Sequence, residues 1–153
     1  MLPLPLALRL AGSTRSKFNN SKISDHYNAV IPEGRPGVAT MITDEAALDI
    51  AFVTALTRRG FSPQDAKAKS AEWIERLRDG GGLEPYHVFI GDGLLLSVNA
   101  DGLRSAIEHA CDPTYAPEGQ VFRPATDLVV LNTAEIRARI QEWSEHFPSQ
   151  DEC

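Results

Sequence analysis

The chain has 153 residues, 42% of them hydrophobic and 24% charged, which suits a packed core in one domain, or one small module joined to another, and excludes disorder by composition. No apolar run approaches the ~18 residues of a membrane span, and Cys111 and Cys153 fit no metal or redox spacing, so free thiols in a reducing compartment are expected. The net charge of −6 is unevenly spread: residues 1–42 hold five cations and two anions (+3), whereas residues 43–153 hold ten and nineteen (−9). Only the first quarter of the chain is therefore suited to face a polyanion.

The opening MLPLPLALRL is apolar, but it has no Lys or Arg ahead of the run, two prolines interrupt it and Arg9 ends it. These features argue against a secretory leader and for a cytoplasmic protein. After Pro5, residues 4–11 predict a helix with Leu6, Leu8 and Leu10 partly inward, broken at Gly12-Ser13-Thr14. Ser13 or Thr14 can cap a second short helix through TRSKFNNSKI, with Phe18 and Ile23 expected inward. Two helices around a three-residue turn containing Gly suggest a helix-turn-helix. The second helix would present Ser13, Thr14, Arg15, Ser16, Lys17, Asn19, Asn20 and Lys22, residue types that contact phosphates and base edges. A solvated helix would also be polar. Adjacent asparagines are poor helix formers, however, and gain nothing on a merely solvated face, which favours recognition.

Residues 31–43 (IPEGRPGVATMIT) carry Pro32, Gly34, Pro36 and Gly37, which stop any helix, and Val38 to Ile42 could return as an extended strand. Such a hairpin, with Arg35 expected at its tip, would act as a wing that places a cation on a backbone phosphate; an ordinary surface loop is the alternative. Thr43 then caps a helix whose first turn holds Asp44 and Glu45, with Ala46, Ala47, Ile50, Ala51, Val53, Ala55 and Leu56 on an apolar face. Arg58 and Arg59 close it, and Gly60 is the expected C-cap. Ser62-Pro63 restarts the chain as cap and first helical residue, carrying Ala66, Ala68, Ala71, Trp73, Ile74 and Leu77 to a stop at Gly80-Gly81-Gly82.

Beyond the glycines the pattern changes. Tyr86 to Ile90 and Leu94 to Val98 predict two strands around Gly91-Asp92-Gly93. Asn99 or Asp101 can cap a helix through LRSAIEHA, and Gln120 to Arg123 could add an edge strand. Leu128 to Leu131 predicts a buried strand, and Asn132-Thr133 caps a last helix with Ile136, Ile140, Trp143 and Phe147 along one stripe. The expected class is α+β: a mainly helical module over 1–79, a small α+β unit over 83–148 and a tail over 149–153.

The order of the first parts resembles the MerR-like winged helix-turn-helix of bacterial regulators. There, a Leu/Ala-rich helix is followed by Gly, a capping Ser or Thr, and an inward apolar residue four positions after the cap; here these are Leu8, Leu10, Gly12, Thr14 and Phe18. The family's helix after the wing ends in a Leu-Gly-Phe-Ser-like turn, where this chain has Arg59-Gly60-Phe61-Ser62-Pro63. The resemblance covers residues 4–78. It departs at Asn19 and Asn20, where the family commonly has two aromatic residues, and in the longer path SKISDHYNAV into the wing. The family's long dimerisation helix is also lacking, since Gly80 to Gly82 ends the fourth helix. The resemblance implies a divergent DNA-binding transcriptional regulator of bacterial or phage origin rather than a metal sensor. Residues 14–22 would enter the major groove of double-stranded DNA, Arg35 would lie on the flanking backbone, and a homodimer would be needed for useful affinity.

No catalytic constellation stands out. His26, His87, His109 and His146 share no metal spacing, Ser97, Ser105 and Ser144 lie in no GxSxG elbow, and the glycine triplet lacks the Lys-Ser/Thr of a phosphate loop. Asp92 and Asp101 have turn and cap roles that explain them, and Trp73 and Trp143 are expected as core or interface anchors. The expectation is a protein that is not an enzyme, with no cofactor and no metal. The rival reading is a protein-interaction adaptor or small-ligand-binding protein working through the acidic C-terminal half, without DNA binding.

Overall fold

The computed structural model describes residues 1–90, 94–111 and 128–147. Its class is α+β: among the described residues, six helices accompany two small antiparallel sheets. The chain forms two compact units, one of Met1–Gly82 together with the chain from Glu135 onward, the other of Leu83–Ala134. Among the described residues no helix is long and apolar enough to cross a membrane.

In the first unit, β1 (Leu2–Pro3) leads directly into α1 (Leu4–Ala11), where Pro5 sits in the first turn. Gly12, in the left-handed region at φ +70°, ends α1. Thr14 caps α2 (Arg15–Ile23), its hydroxyl accepting from Lys17 N at 3.2 Å. β2 (Met41–Ile42) pairs antiparallel with β1, Leu2 opposite Ile42 and Pro3 opposite Met41. The extended return expected over Val38 to Ile42 is thus reduced to its last two residues, which pair with the chain start rather than with the loop ahead of them.

Two long helices follow. α3 (Asp44–Arg58) is capped by Thr43, which accepts from Ala46 N, and α4 (Pro63–Arg78) by Ser62, which accepts from Asp65 N. Arg59 caps the end of α3, and Gly60 follows it at φ +96°. Ile50, Phe52, Leu56 and Trp73 are fully buried together with Leu2, Leu4 and Ile42, and the Phe52 and Trp73 rings stack at 4.8 Å. Trp73 Nε1 donates to the Gly82 carbonyl at 3.2 Å, fastening the glycine turn beyond α4.

Several expected inward positions are corrected. Ile23 is 85% exposed. It follows Phe18 by five residues, which at 3.6 residues per turn sets the two about 140° apart on the helix. Ala68 and Ala71 are exposed, because the buried stripe of α4 runs through Ala66, Ser70, Trp73 and Ile74. That stripe takes in a serine that a reading for apolar periodicity passes over.

In the second unit, β3 (Tyr86–Ile90) is the central strand of a sheet ordered β4-β3-β5, antiparallel to both β4 (Leu94–Val98) and β5 (Leu128–Asn132). His87 lies opposite Ser97 on one side and Leu131 on the other. Asn99 caps α5 (Ala100–Cys111), its side-chain oxygen accepting from Gly102 N at 2.8 Å. α6 (Thr133–Ser144) starts in this unit, and its body counts with the first, where Ser144 Oγ donates to the Asp44 carboxylate at 2.7 Å. On its expected stripe Ile140 is buried, whereas Trp143 is 41% exposed against His146, so Trp143 is not a core anchor of this chain. The turn Gly91-Asp92-Gly93, the expected edge strand Gln120 to Arg123 and the tail lie outside the described residues.

Candidate nucleic-acid interface

α2 contributes a single buried residue, Phe18, whose ring stacks on the buried Tyr27 at 5.7 Å. Arg15, Ser16, Lys17, Asn19, Asn20 and Lys22 are all exposed. Phe18 being the inward position, the 3.6-residue period points Ser16, Asn20 and Ile23 away from the core, with Lys17 and Asn19 flanking them. Ser13 is half-buried in the turn, and the Thr14 hydroxyl is already engaged as the helix cap. The expected positions from Arg15 to Lys22 are thus exposed, but Arg15 and Lys22 lie only about 60° and 40° around the helix from Phe18, whereas Ser16 and Asn20 point outward together with the apolar Ile23. Sequence reading missed Ile23 because an isoleucine ending an apolar-seeded helix reads as core; its five-residue offset from Phe18 was the available signal.

Arg35 is exposed as well, but not at the tip of its loop. It bridges to Val38, whose N–H donates to the Arg35 carbonyl at 3.2 Å, so Pro36 and Gly37 form the tip and Gly37 takes φ +76°. Residues 32–39 are exposed without exception, Val38 among them.

A helix with one buried anchor must be held by its ends. At the N-terminal end, Arg58 of α3 donates to the Gly12 carbonyl at 2.6 Å, placing a cation where the dipole of α1 is negative. A Cβ on Gly12 would stand 2.6 Å from that guanidinium. At the C-terminal end, Asp25 adopts φ +58°, and Lys67 of α4 donates to its carbonyl at 3.2 Å and its carboxylate at 3.1 Å.

The main fastening is Asp49 of α3, only 2% exposed. Its Oδ2 accepts from Asn28 N at 2.8 Å and Ala29 N at 3.0 Å, and its Oδ1 from Ser70 Oγ at 2.6 Å and Asn28 Nδ2 at 3.0 Å. Asn28 Nδ2 also donates to the Lys67 carbonyl at 2.8 Å. A buried carboxylate is tolerated when such donors replace its water. Here they tie the chain leaving α2 to both long helices.

The cations fall into two groups. Lys67 pairs with Asp25, Lys69 with Asp65, and Arg78 with Glu45. The Glu45 carboxylate, by hydrogen bonding first and charge second, holds the Arg78 guanidinium above its ordinary value. By contrast, Arg9, Arg15, Lys17, Lys22 and Arg35 have no ion-pair partner among the described residues, and neither α1 nor α2 contains an acid. Arg15 lies 5.8 Å from the Phe18 ring centre, a cation–π contact that leaves its charge uncompensated.

Among the described residues no three His, Cys, Asp or Glu side chains are grouped to hold a metal. A polar cluster of the second unit surrounds His87, which is fully buried. Its Nδ1 is 2.8 Å from Thr133 Oγ1 and its Nε2 is 3.4 Å from Ser97 Oγ, which also donates to Glu84 Oε2 at 3.3 Å. Thr133 can donate to the Glu84 or Pro85 carbonyl, each at 3.4 Å, and so accept from His87 Nδ1–H. The cluster joins β3 and β4 to the start of α6, and both ring nitrogens have partners.

No protein-family model matches the chain, and no curated protein sequence does.

Proposed function

We propose that the protein is a DNA-binding transcriptional regulator of bacterial or phage origin, built as a divergent MerR-like winged helix-turn-helix. In this reading α2 enters the major groove and the 32–39 loop acts as the wing, with Arg35 on the phosphate backbone. The observation that carries it is the character of α2: three cations, no acid, two adjacent exposed asparagines and one buried residue. Such a helix costs helix propensity and contributes little to the core, so its exposed face is what it offers. Asn20, in line with Ser16 and Ile23, is disposed to read a base edge, since Asn pairs with adenine through two hydrogen bonds. Arg15, Lys17 and Lys22 supply phosphate contacts and the salt dependence that accompanies them. A single module of this charge binds non-specific DNA weakly, so a homodimer on paired half-sites belongs to the proposal.

The test is a fluorescence-anisotropy titration of the full chain against mixed-sequence duplex DNA at ~50 mM salt, repeated at rising salt. Binding that weakens linearly in log salt is expected. A flat titration at low salt would transfer the functional bet to an adaptor or ligand-binding role of the second unit.

A further inference from the structure

A second feature of the same unit lies outside the exposed stripe of α2. Where α1 meets the start of α2, an open groove of about 440 Å³ is lined by Pro5, Leu8, Arg9, Ser13 and Arg15. Its floor is apolar, because Leu8 is buried beneath it and Pro5 is a bare ring. Arg9 comes from α1 and Arg15 from α2, so the groove is lined by arginines from two elements. Neither has an ion-pair partner among the described residues, and no carboxylate lines the groove.

We propose that this groove seats one DNA backbone phosphate, shared by Arg9 and Arg15, with the adjoining deoxyribose against Leu8 and Pro5. The proposal rests on the DNA-binding reading and adds Arg9 to it. Two arginines lining one groove offer forked donors that match a phosphodiester, which presents two unesterified oxygens side by side. The apolar floor suits a sugar rather than a small hydrated anion, which would find only flexible side chains above Leu8. The two walls are also held in a defined relation. Gly12 at φ +70° and the Arg58 bond to its carbonyl fix the turn between them, and Ser13 N donates to the Leu8 carbonyl at 2.9 Å. A phosphate in this seat would set the register of α2 along the duplex without reading sequence.

Sharing of one phosphate has a thermodynamic signature. Each neutralised phosphate of B-DNA contributes about 0.9 to the slope of log affinity against log salt. If Arg9 and Arg15 hold the same phosphate, Arg9→Gln/Arg15→Gln should lower the slope by about 0.9. The single changes should each lower it by no more than that, and should not add up to the double-variant value as independent contacts would. Between 50 mM and 200 mM salt the double variant should then lose about 3.5-fold less affinity than the parent protein. Both side chains are exposed, so thermal melting should shift little in all three variants, the Arg15 contact with the Phe18 ring being the one interaction lost, and Arg104→Gln, at an exposed position of α5, serves as a cation-removal control with no effect. An anisotropy salt series with one mixed-sequence 20-base-pair duplex reads these slopes. A fall of about 1.8 in the double variant would place the two arginines on separate phosphates, and an unchanged slope would leave the groove empty of DNA; either overturns the shared seat while the DNA-binding reading stands. Displacement of DNA by inorganic phosphate beyond that by chloride of equal ionic strength would make the groove a free-anion site and overturn it too. If the parent protein shows no salt-sensitive binding, the DNA-binding reading falls and the seat falls with it.

Discussion

α2 and α3 are helices of the same unit with opposite relations to the core. α3 buries eight of its fifteen residues, including Ile50, Phe52 and Leu56, whereas α2 buries one of nine. A helix of nine residues is too short to be stable alone, and most helical stability in proteins comes from a packed apolar face. α2 has almost no such face. It is held instead by Phe18 in the middle, the Arg58–Gly12 contact at its start and the Asp49, Ser70 and Lys67 hydrogen bonds beyond its end. The lesson is one of division: the long helices carry the stability, and the surface of α2 is released from that duty.

That division predicts a steep ranking of substitutions. Phe18→Ala should have the largest effect, about 3–5 kcal/mol of unfolding free energy in a urea melt, because it removes the only buried side chain of α2 and unstacks Tyr27. A loss below ~1 kcal/mol would mean that α2 does not depend on this anchor, and the contrast with α3 would lose its basis.

Asp49→Ala follows, at about 2–3 kcal/mol, since four hydrogen bonds lose their acceptor and Ser70 is left buried. Amide exchange at Asn28 and Ala29 should rise more than at the centre of α3. Asp49→Asn should recover little: each carboxylate oxygen takes two donors, so whichever way the amide turns, its NH2 faces donors. Full rescue by asparagine would show that the fastening needs shape rather than two acceptor oxygens.

Gly12→Ala should be milder, about 1–2 kcal/mol, combining the strain of φ +70° with displacement of Arg58 from the turn carbonyl. Combined with Arg58→Ala, it should cost less than the sum of the two single changes, as coupled neighbours do. Strict additivity in the melt would separate the glycine from the arginine.

Much of this arrangement was legible in the sequence. Local chemistry fixed the element starts: Thr14, Thr43, Ser62 and Asn99 all cap the helices they precede. The strands on either side of residues 91–93 and the last strand also follow from short apolar runs, rich in aromatic and β-branched residues at 86–90 and 128–131 and in leucine at 94–98. What escaped was decided by partners far apart in the chain. Nothing local marks Asp49 as buried; a carboxylate in a helix reads as solvent-facing until Asn28 and Ser70 are brought to it across 21 residues on either side. Likewise the strand at Met41–Ile42 pairs with Leu2–Pro3, a contact no window around either segment contains. At the candidate site, the sequence identified the polar face of α2 but misassigned Ile23 and the place of Arg35. The first error came from treating an apolar residue as inward without counting its angle, the second from a bridge at Arg35 and Val38 that moves the tip to Pro36-Gly37.

The smallest stability effects are expected where the proposed function is concentrated, and this is where the contrast between the helices can be sharpened most. Lys17 and Asn20 are exposed and neither side chain has a hydrogen-bond partner among the described residues. Lys17→Ala and Asn20→Ala should therefore change the melt by less than ~0.5 kcal/mol. If α2 reads DNA, the two should still differ from each other. Lys17→Ala should weaken binding to every duplex alike and flatten the salt slope, because a phosphate contact carries no sequence information. Asn20→Ala should keep the slope and narrow the gap between preferred and unrelated sequences by about 1–3 kcal/mol, the range of one base-edge pairing. Ile23→Ala should sit below both: its exposed methyl groups can meet a thymine methyl, so any loss should be confined to sequences with thymine at one position. Anisotropy with a selected duplex and a scrambled one, at two salt concentrations, separates the three patterns. Variants that melt like the parent and bind both duplexes like the parent would leave α2 a solvated helix, its polar face explained by exposure alone.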